Sequence, residues 1–218
     1  MKKLLLLALS CTFSFGLMAQ QTPSVKKAYT ASTGETILSF GILEAEPLET
    51  GTIPRFTPFF NFGQQLHYDF SDNFGFYAGL NVRNVGMIND LNDSIRIKQR
   101  TYNVGIPIAL KVGNMEGFQF AAGFEAEFAV AYKQKVYVNG EKRKSSAWFD
   151  DRTNTFLPSV FAEFKNEQGN YIRFKYYLTD YLQTENQKIN VPGVEYRPTS
   201  SQMFYVSIGH VIKNREFR

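Results

Sequence analysis

The chain has 218 residues, a formal charge of +4, a single cysteine and 16% aromatic residues, including 21 phenylalanines and 12 tyrosines. Beyond Ala19 no stretch approaches the roughly 18 apolar residues that a membrane-crossing helix needs, which excludes a helical membrane protein, and so small a net charge demands no acidic partner. The aromatic content exceeds the needs of a modest soluble domain, so the fold has to place it somewhere.

In chain order, residues 1–19 have the parts of a secretory signal peptide: Lys2 and Lys3, an apolar run from Leu4 to Leu9, and Leu17-Met18-Ala19 ahead of Gln20. Cleavage after Ala19 removes Cys11, so the mature chain has neither a disulfide nor a cysteine metal site. Acylation of Cys11 is the lipoprotein alternative, and Ala8-Leu9-Ser10 before it fits that signal poorly. Residues 20–35, rich in Ser, Thr and Ala, are expected to be a short periplasmic lead-in.

From Thr36 onward apolar residues recur at every second position, the period of a strand with two unlike faces. Phe60, Phe62, Leu66, Tyr68 and Phe70 share one face, and Asn61, Gly63, Gln65, His67 and Asp69 share the other. The pattern predicts eight strands, at 36–44, 56–70, 74–86, 95–112, 118–138, 153–165, 171–182 and 202–213, in a barrel domain spanning 36–213 with a tail at 214–218. The connections 71–73, 113–117 and 166–170 are tight and rich in Gly, Asn and Asp, as hairpin turns require. Those at 45–55, 87–94, 139–152 and 183–201 are longer, and Asn139-Gly140 is a hairpin signal that extends strands five and six above the membrane. Outer-membrane barrels alternate short periplasmic turns with longer outer loops, which puts both termini in the periplasm. Pro107 and Pro158 lack a ladder donor, and each predicts a bulge.

The two faces differ in kind. One is apolar from Leu38, Phe40 and Ile42 through Phe204, Val206, Ile208 and Ile212, with Gln64 and His210 as its polar members. The other carries Asp69, Arg83, Lys111, Glu125, Glu127, Glu163, Arg173 and Lys175 together with Gly41, Gly63, Gly75, Gly79, Gly105, Gly123 and Gly209. An eight-stranded barrel has a bore just wide enough for side chains. Phe124, Phe128, Phe164, Phe174 and Phe204 would overfill it, whereas the glycine-rich polar face fits. Phe70, Phe74, Phe76, Phe118, Phe120 and Phe164 beside the short turns, and Phe56, Tyr102, Tyr132 and Phe156 beside the long loops, form two aromatic belts. A wider, soluble, lipocalin-like barrel with the apolar face inward is the alternative.

Glu125 and Glu127 have the spacing of an acid and base pair on one strand face, but buried charges have to be paired, and the same face offers cations. A symmetric 113–117 turn sets Glu127 opposite Asn103 and level with Arg83, and the 166–170 turn sets Glu163 beside Arg173. The eight charged residues are therefore expected to form a polar network, with His67 a member, that plugs the lumen. His210 faces lipid on this register; catalysis on lipid there would need a nucleophilic serine held by the histidine, and Ser201 and Ser207 form no such motif with it. Arg96, Lys98 and Arg100 continue the outer face beyond the belt, and Lys142, Arg143 and Lys144 lie in the third long loop, where either cluster could hold lipopolysaccharide phosphates. Trp148, Phe149 and Tyr196 are candidate loop anchors for a partner. Neither cluster carries a nucleic-acid motif, and no phosphate loop or metal-ligand spacing implies a cofactor.

The segment Arg100-Thr-Tyr-Asn-Val-Gly-Ile-Pro-Ile-Ala-Leu-Lys111 and the closing Met203-Phe-Tyr-Val-Ser-Ile-Gly209 strand resemble the PorT-like outer-membrane β-barrel family. The resemblance implies an outer-membrane barrel, often without assigned activity, with one member that assists protein secretion. Such barrels commonly end in an aromatic residue read by the barrel assembly machinery, whereas this chain ends Glu216-Phe217-Arg218. The expectation is thus an eight-stranded antiparallel up-and-down transmembrane β-barrel of the outer membrane. It is expected to be no enzyme and to act through extracellular loops or as an envelope or secretion-associated component. Its expected partners are outer-membrane lipid and lipopolysaccharide, the assembly machinery, and an extracellular or secretion-system protein; a barrel enzyme acting on outer-membrane lipid remains the other alternative.

Overall fold

The computed structural model describes residues 27–46, 49–184, 189–191 and 194–217. The expected signal peptide at 1–19 and the first part of the expected lead-in lie outside the described residues, as do 185–188 and 192–193 of the last long loop. The strands are β1 (Lys27–Glu46), β2 (Gly51–Ile53), β3 (Arg55–Thr57), β4 (Phe62–Ser71), β5 (Phe74–Asn92), β6 (Ile95–Gly113), β7 (Gln119–Val138), β8 (Glu141–Trp148), β9 (Phe156–Lys165), β10 (Asn170–Tyr177), β11 (Ile189–Val191) and β12 (Val194–Phe217).

Eight of these form a ring of antiparallel neighbours in the order β1, β4, β5, β6, β7, β9, β10, β12. The last strand returns to the first along a ladder from Ala28↔Phe217 to Glu46↔Arg197. Closure leaves the ring without an unpaired edge, which is the condition for placing strands in lipid. β3 continues the line of β4 beyond a break at Pro58 to Asn61, where Phe60 has a φ of 64°. The Asn61 side chain spans that break, donating to the Thr57 carbonyl at 2.9 Å and accepting from the Asn84 amide at 2.9 Å.

The strands cross from one solvent into another, and β6 shows it along its length. Its outward residues run Arg96, Lys98, Arg100, then Tyr102, then Val104, Ile106, Ile108, Leu110 and Val112, while its inward ones change from Ile95 and Ile97 to Gln99, Thr101, Asn103 and finally Lys111. Charge outside over hydrocarbon inside is the pattern of a protein in water. Below Tyr102 the pattern inverts, as lipid requires. Every ring strand contributes an exposed apolar side chain to this belt: Leu38, Leu66, Leu80, Ile108, Phe124, Val160, Phe174 and Ile208. Soluble monomers rarely expose so continuous an apolar surface. The molecule is an eight-stranded transmembrane barrel, with the sidedness opposite to that of a lipocalin-like one.

Several expected boundaries are corrected. β1 begins at Lys27, so residues 27–35 are ladder and not lead-in, and they pair with β4 from Lys27↔Asp69 to Gly34↔Phe62. Their outward residues, Thr30, Ser32 and Gly34, are small or polar, so the apolar alternation that marks a strand is missing there. The expected tail is also strand as far as Phe217, and a register shift opposite Thr30/Ala31 leaves Asn214 unpaired. Residues 87–92 are strand, with Met87, Asn89 and Leu91 turned inward and buried, and only Asp93 and Ser94 are left as turn. Neither proline sits at a bulge. The β5–β6 ladder omits the pairs between Ala78↔Ile108 and Asn81↔Gly105 without a change of register, which accommodates Pro107. Pro158 lies one residue beyond the last β9–β10 pair, Tyr177↔Ser159, and its carbonyl accepts from Leu178 at 2.8 Å. The bulge that does form in β7 leaves Val130 unpaired between Asn103↔Ala129 and Tyr102↔Ala131. It reverses the parity of β7 above it, so Tyr132 is buried inside the barrel and not in the upper belt.

Candidate functional site

All eight charged residues of the polar face are buried in the bore, and they fall into two groups. Near the short turns Lys111 donates to Asp69 at 2.5 Å, approaches His67 Nδ1 at 3.2 Å, and donates to the Tyr29 hydroxyl at 3.3 Å. The His67 ring stacks on Tyr29 with centroids 4.7 Å apart, and its other nitrogen meets Gln65 at 3.0 Å. At mid-barrel a chain of contacts runs from Glu163 to Arg173 at 2.7 Å, from Arg173 to Glu35 at 3.1 Å, and from Glu35 to Arg83 at 2.6 Å. Arg83 also pairs with Glu125, Glu125 with Lys175 at 2.6 Å, and Lys175 with Glu127.

This chain joins five strands and holds four carboxylates against three cations. Neutral donors take up the excess charge: Ser207 to Glu35 at 2.7 Å, Asn81 to Glu125 at 2.8 Å, Asn103 to Glu127 at 2.7 Å and Tyr177 to Glu127 at 3.0 Å. Buried ions are tolerable only when so satisfied. The register differs in detail from the symmetric turn: Glu127 faces Gly105, and Asn103 reaches it diagonally. Glycine at 105 makes the room, since a Cβ there would clash with the Glu125 carboxylate and stand 2.9 Å from Glu127 Cγ.

Above the ions the bore holds an apolar cluster that includes Ile37, Met87, Leu91, Ile97, Leu157 and Met203, with buried Ser39, Asn89, Gln99 and Thr101 on the same inner face. Residues 181–182 fold in over it; the Tyr181 hydroxyl donates to Thr101 at 3.3 Å and the Leu182 amide to Ser201 at 2.9 Å. The loop between β8 and β9 is held down by Arg152, which donates to Asp150 at 2.7 Å and Gln134 at 3.1 Å and stacks over Tyr132 at 4.7 Å. The Arg152 hydrogen bond lowers the pKa of Asp150. At the opposite end, Lys27 bonded to Glu116 at 3.0 Å lowers the Glu116 pKa in the β6–β7 turn.

The exposed His210 donates from Nδ1 to the Asn170 Oδ1 at 2.9 Å beside the β9–β10 turn. Ser207 points into the bore at Glu35, and Ser201 is buried against Asp180, so neither serine meets that histidine. Arg96, Lys98 and Arg100 face outward on β6 above Tyr102, and Arg96 pairs with Asp90 at 2.6 Å. Lys142, Arg143 and Lys144 lie on β8, which pairs with the upper part of β7, and all three are exposed. Trp148 and Phe149 are exposed at 74% and 69%, whereas Tyr196 is buried, because β12 extends down from Val194 and turns that ring into the apolar upper core.

No family model matches the chain, and no curated protein does. Solved structures align over most of it, among them these three. The attachment invasion locus protein of Yersinia pestis is 12% identical, with a TM-score of 0.37 over 85% of this chain and 99% of that one. Neisserial surface protein A is 9% identical, with a TM-score of 0.44 over 86% and 99%. The outer membrane protein OprG from Pseudomonas aeruginosa is 11% identical, with a TM-score of 0.42 over 89% and 100%.

Sequence reasoning missed Glu35, the hub between Arg83 and Arg173, because it placed residue 35 outside the barrel. It also missed Arg55, Lys133 and Lys135. The signal for the two lysines was present: they alternate with buried Gln134 on the strand that leads to Asn139-Gly140. Arg55 had none, because only the return of β3 beside Ser39 brings it to the rim.

Proposed function

We propose that this protein is an outer-membrane barrel of the PorT-like kind, with both termini in the periplasm, that carries out no catalysis and conducts no solute. It works through the end of the barrel that rises beyond the belt, as a binding or envelope-associated component. The observation that carries this reading is the bore: ions bridge five strands at its middle and an apolar cluster lies above them. The rise of β5, β6, β7 and β8 past Tyr102 supports the choice of working end, since a barrel needed only as a membrane plug has no use for it.

The test is fractionation with heat-modifiable gel mobility, followed by reconstitution in planar bilayers. A membrane-fraction protein that migrates differently when unheated, and that gives no steady conductance, is expected. Stable single-channel openings of the wild-type barrel would overturn the closed-bore reading.

A further inference from the structure

The outward faces of β6, β7 and β8 carry more positive charge than the fold requires. Lys98, Lys135 and Lys144 stand directly opposite one another across the three strands, and Arg100 faces Lys133 one step below. Like charges in that relation destabilise a sheet. Partial desolvation, together with Arg100, Lys142, Lys144 and Lys98, lowers the pKa of Lys135. Among the described residues none of these five cations forms an ion pair with a carboxylate; Lys98 and Lys133 rest instead over the rings of Tyr137 and Tyr102, at 5.3 and 5.0 Å.

Between them lies a pocket of about 70 Å³ walled by Arg55, Lys98, Gln99, Arg100, Lys133 and Lys135. Arg55 is only 8% exposed, and its guanidinium is held by two oxygens of Asn84, at 2.7 and 3.2 Å. Five cationic residues and Gln99 thus wall a space of about two water volumes, room for one tetrahedral oxyanion. Directly below, and sharing Lys133, an apolar groove of about 630 Å³ runs down the belt past Phe60, Tyr102, Val104, Val130 and Trp148. Phe60 takes its positive φ at the mouth of this groove and meets Tyr102 edge-on at 6.0 Å.

An anion pocket at the rim above a hydrocarbon slot has the vertical order of a membrane lipid. We propose that this ledge binds a phosphorylated acyl glycolipid of the surrounding outer leaflet, lipid A, with one phosphate in the pocket and one acyl chain in the groove. The proposal rests on the reading that this end of the barrel faces the exterior. A glycolipid fits better than a phosphodiester lipid because the cations continue to Lys144 on β8. Two strand spacings, about 10 Å, separate it from β6, and a headgroup with two phosphates spans that distance.

The test uses the folded full-length barrel in detergent micelles, with binding read by native mass spectrometry. The probes are bisphosphorylated lipid A, its dephosphorylated form, phosphatidylglycerol and heparin. Lipid A is expected to bind at least tenfold more tightly than each of the others. A barrel carrying Arg100→Gln, Lys133→Gln and Lys135→Gln, with heat-modifiable mobility intact, is expected to lose tenfold or more in lipid A affinity. Trp148→Ser is expected to weaken lipid A severalfold and leave inorganic pyrophosphate binding unchanged. Heparin binding as tight as lipid A would make the ledge a polysaccharide surface, and equal binding of phosphatidylglycerol would make it a general anionic-lipid surface. Either result overturns the proposal, as does an unchanged affinity in the triple variant or, should that variant not fold, in Lys135→Gln alone. Mobility and conductance of the wild type report separately on the barrel reading.

Discussion

At the residue scale the bore is governed by a single rule, that an ion removed from water must find its counter-ion. Glu125 contacts Arg83 and Lys175 and accepts from Asn81. Glu125→Ala strips both cations of a partner, and breaking a buried pair costs about 3–5 kcal/mol. Urea unfolding of the detergent-folded barrel should register that loss. The double variant Glu125→Leu with Lys175→Met should lose less than the sum of the singles, because neither partner is then left unpaired; additive losses would contradict the pairing. Gly105→Ala is expected to destabilise by about 1–3 kcal/mol through overpacking, since its Cβ would press on Glu125 and Glu127. That these positions face one bore was legible from alternation alone. Glu35 was not, because its neighbours Gly34 and Thr36 are neither large nor apolar, and nothing local marks the segment as strand.

At the scale of elements, what distinguishes this barrel is where strands bend, break and stop. The β5–β6 ladder already lacks pairing around Pro107. Pro107→Ala should therefore change stability by no more than about 1 kcal/mol, the size of the unfolded-state entropy term, and a larger loss would mean that the ring itself is packed. The β8–β9 loop hangs on Arg152 and Asp150. Because the folded pKa of Asp150 is depressed, its contribution is present above the ordinary carboxylate range and is lost as pH falls through the depressed value. Proteolysis of 149–155 by an acid-active protease should accelerate below that point, and Arg152→Ala should show the fast cleavage already at neutral pH. Equal cleavage of the two proteins at neutral pH would show that the clip does not hold the loop.

At the scale of the whole molecule the decisive quantity is depth. Ile108 is 55% exposed on the belt, and an arginine at mid-membrane on the lipid face of a barrel costs about 2–4 kcal/mol. Ser146 faces Lys133 on β8, above Tyr102. Ser146→Arg, which adds a like charge opposite Lys133, is expected to cost no more than about 1 kcal/mol, the size of a cross-strand pair term. Folding titrations into lipid vesicles compare the two variants, and equal costs would remove the membrane boundary from its place at Tyr102.

The sequence by itself determined that the strands have two faces, which face carries the ions, and that bulky hydrocarbon has to lie outside, because a period of two is a local property and the volume of an eight-stranded bore is fixed. Only the tertiary structure decided that β1 reaches back to Lys27 and β12 on to Phe217, that an unpaired Val130 turns Tyr132 inward, and that residues 87–92 belong to strands whose sidedness inverts above the belt. Those features depend on which residue of a neighbouring strand supplies each hydrogen bond. Partners distant in sequence settle that choice when the ring closes, and no local pattern encodes it.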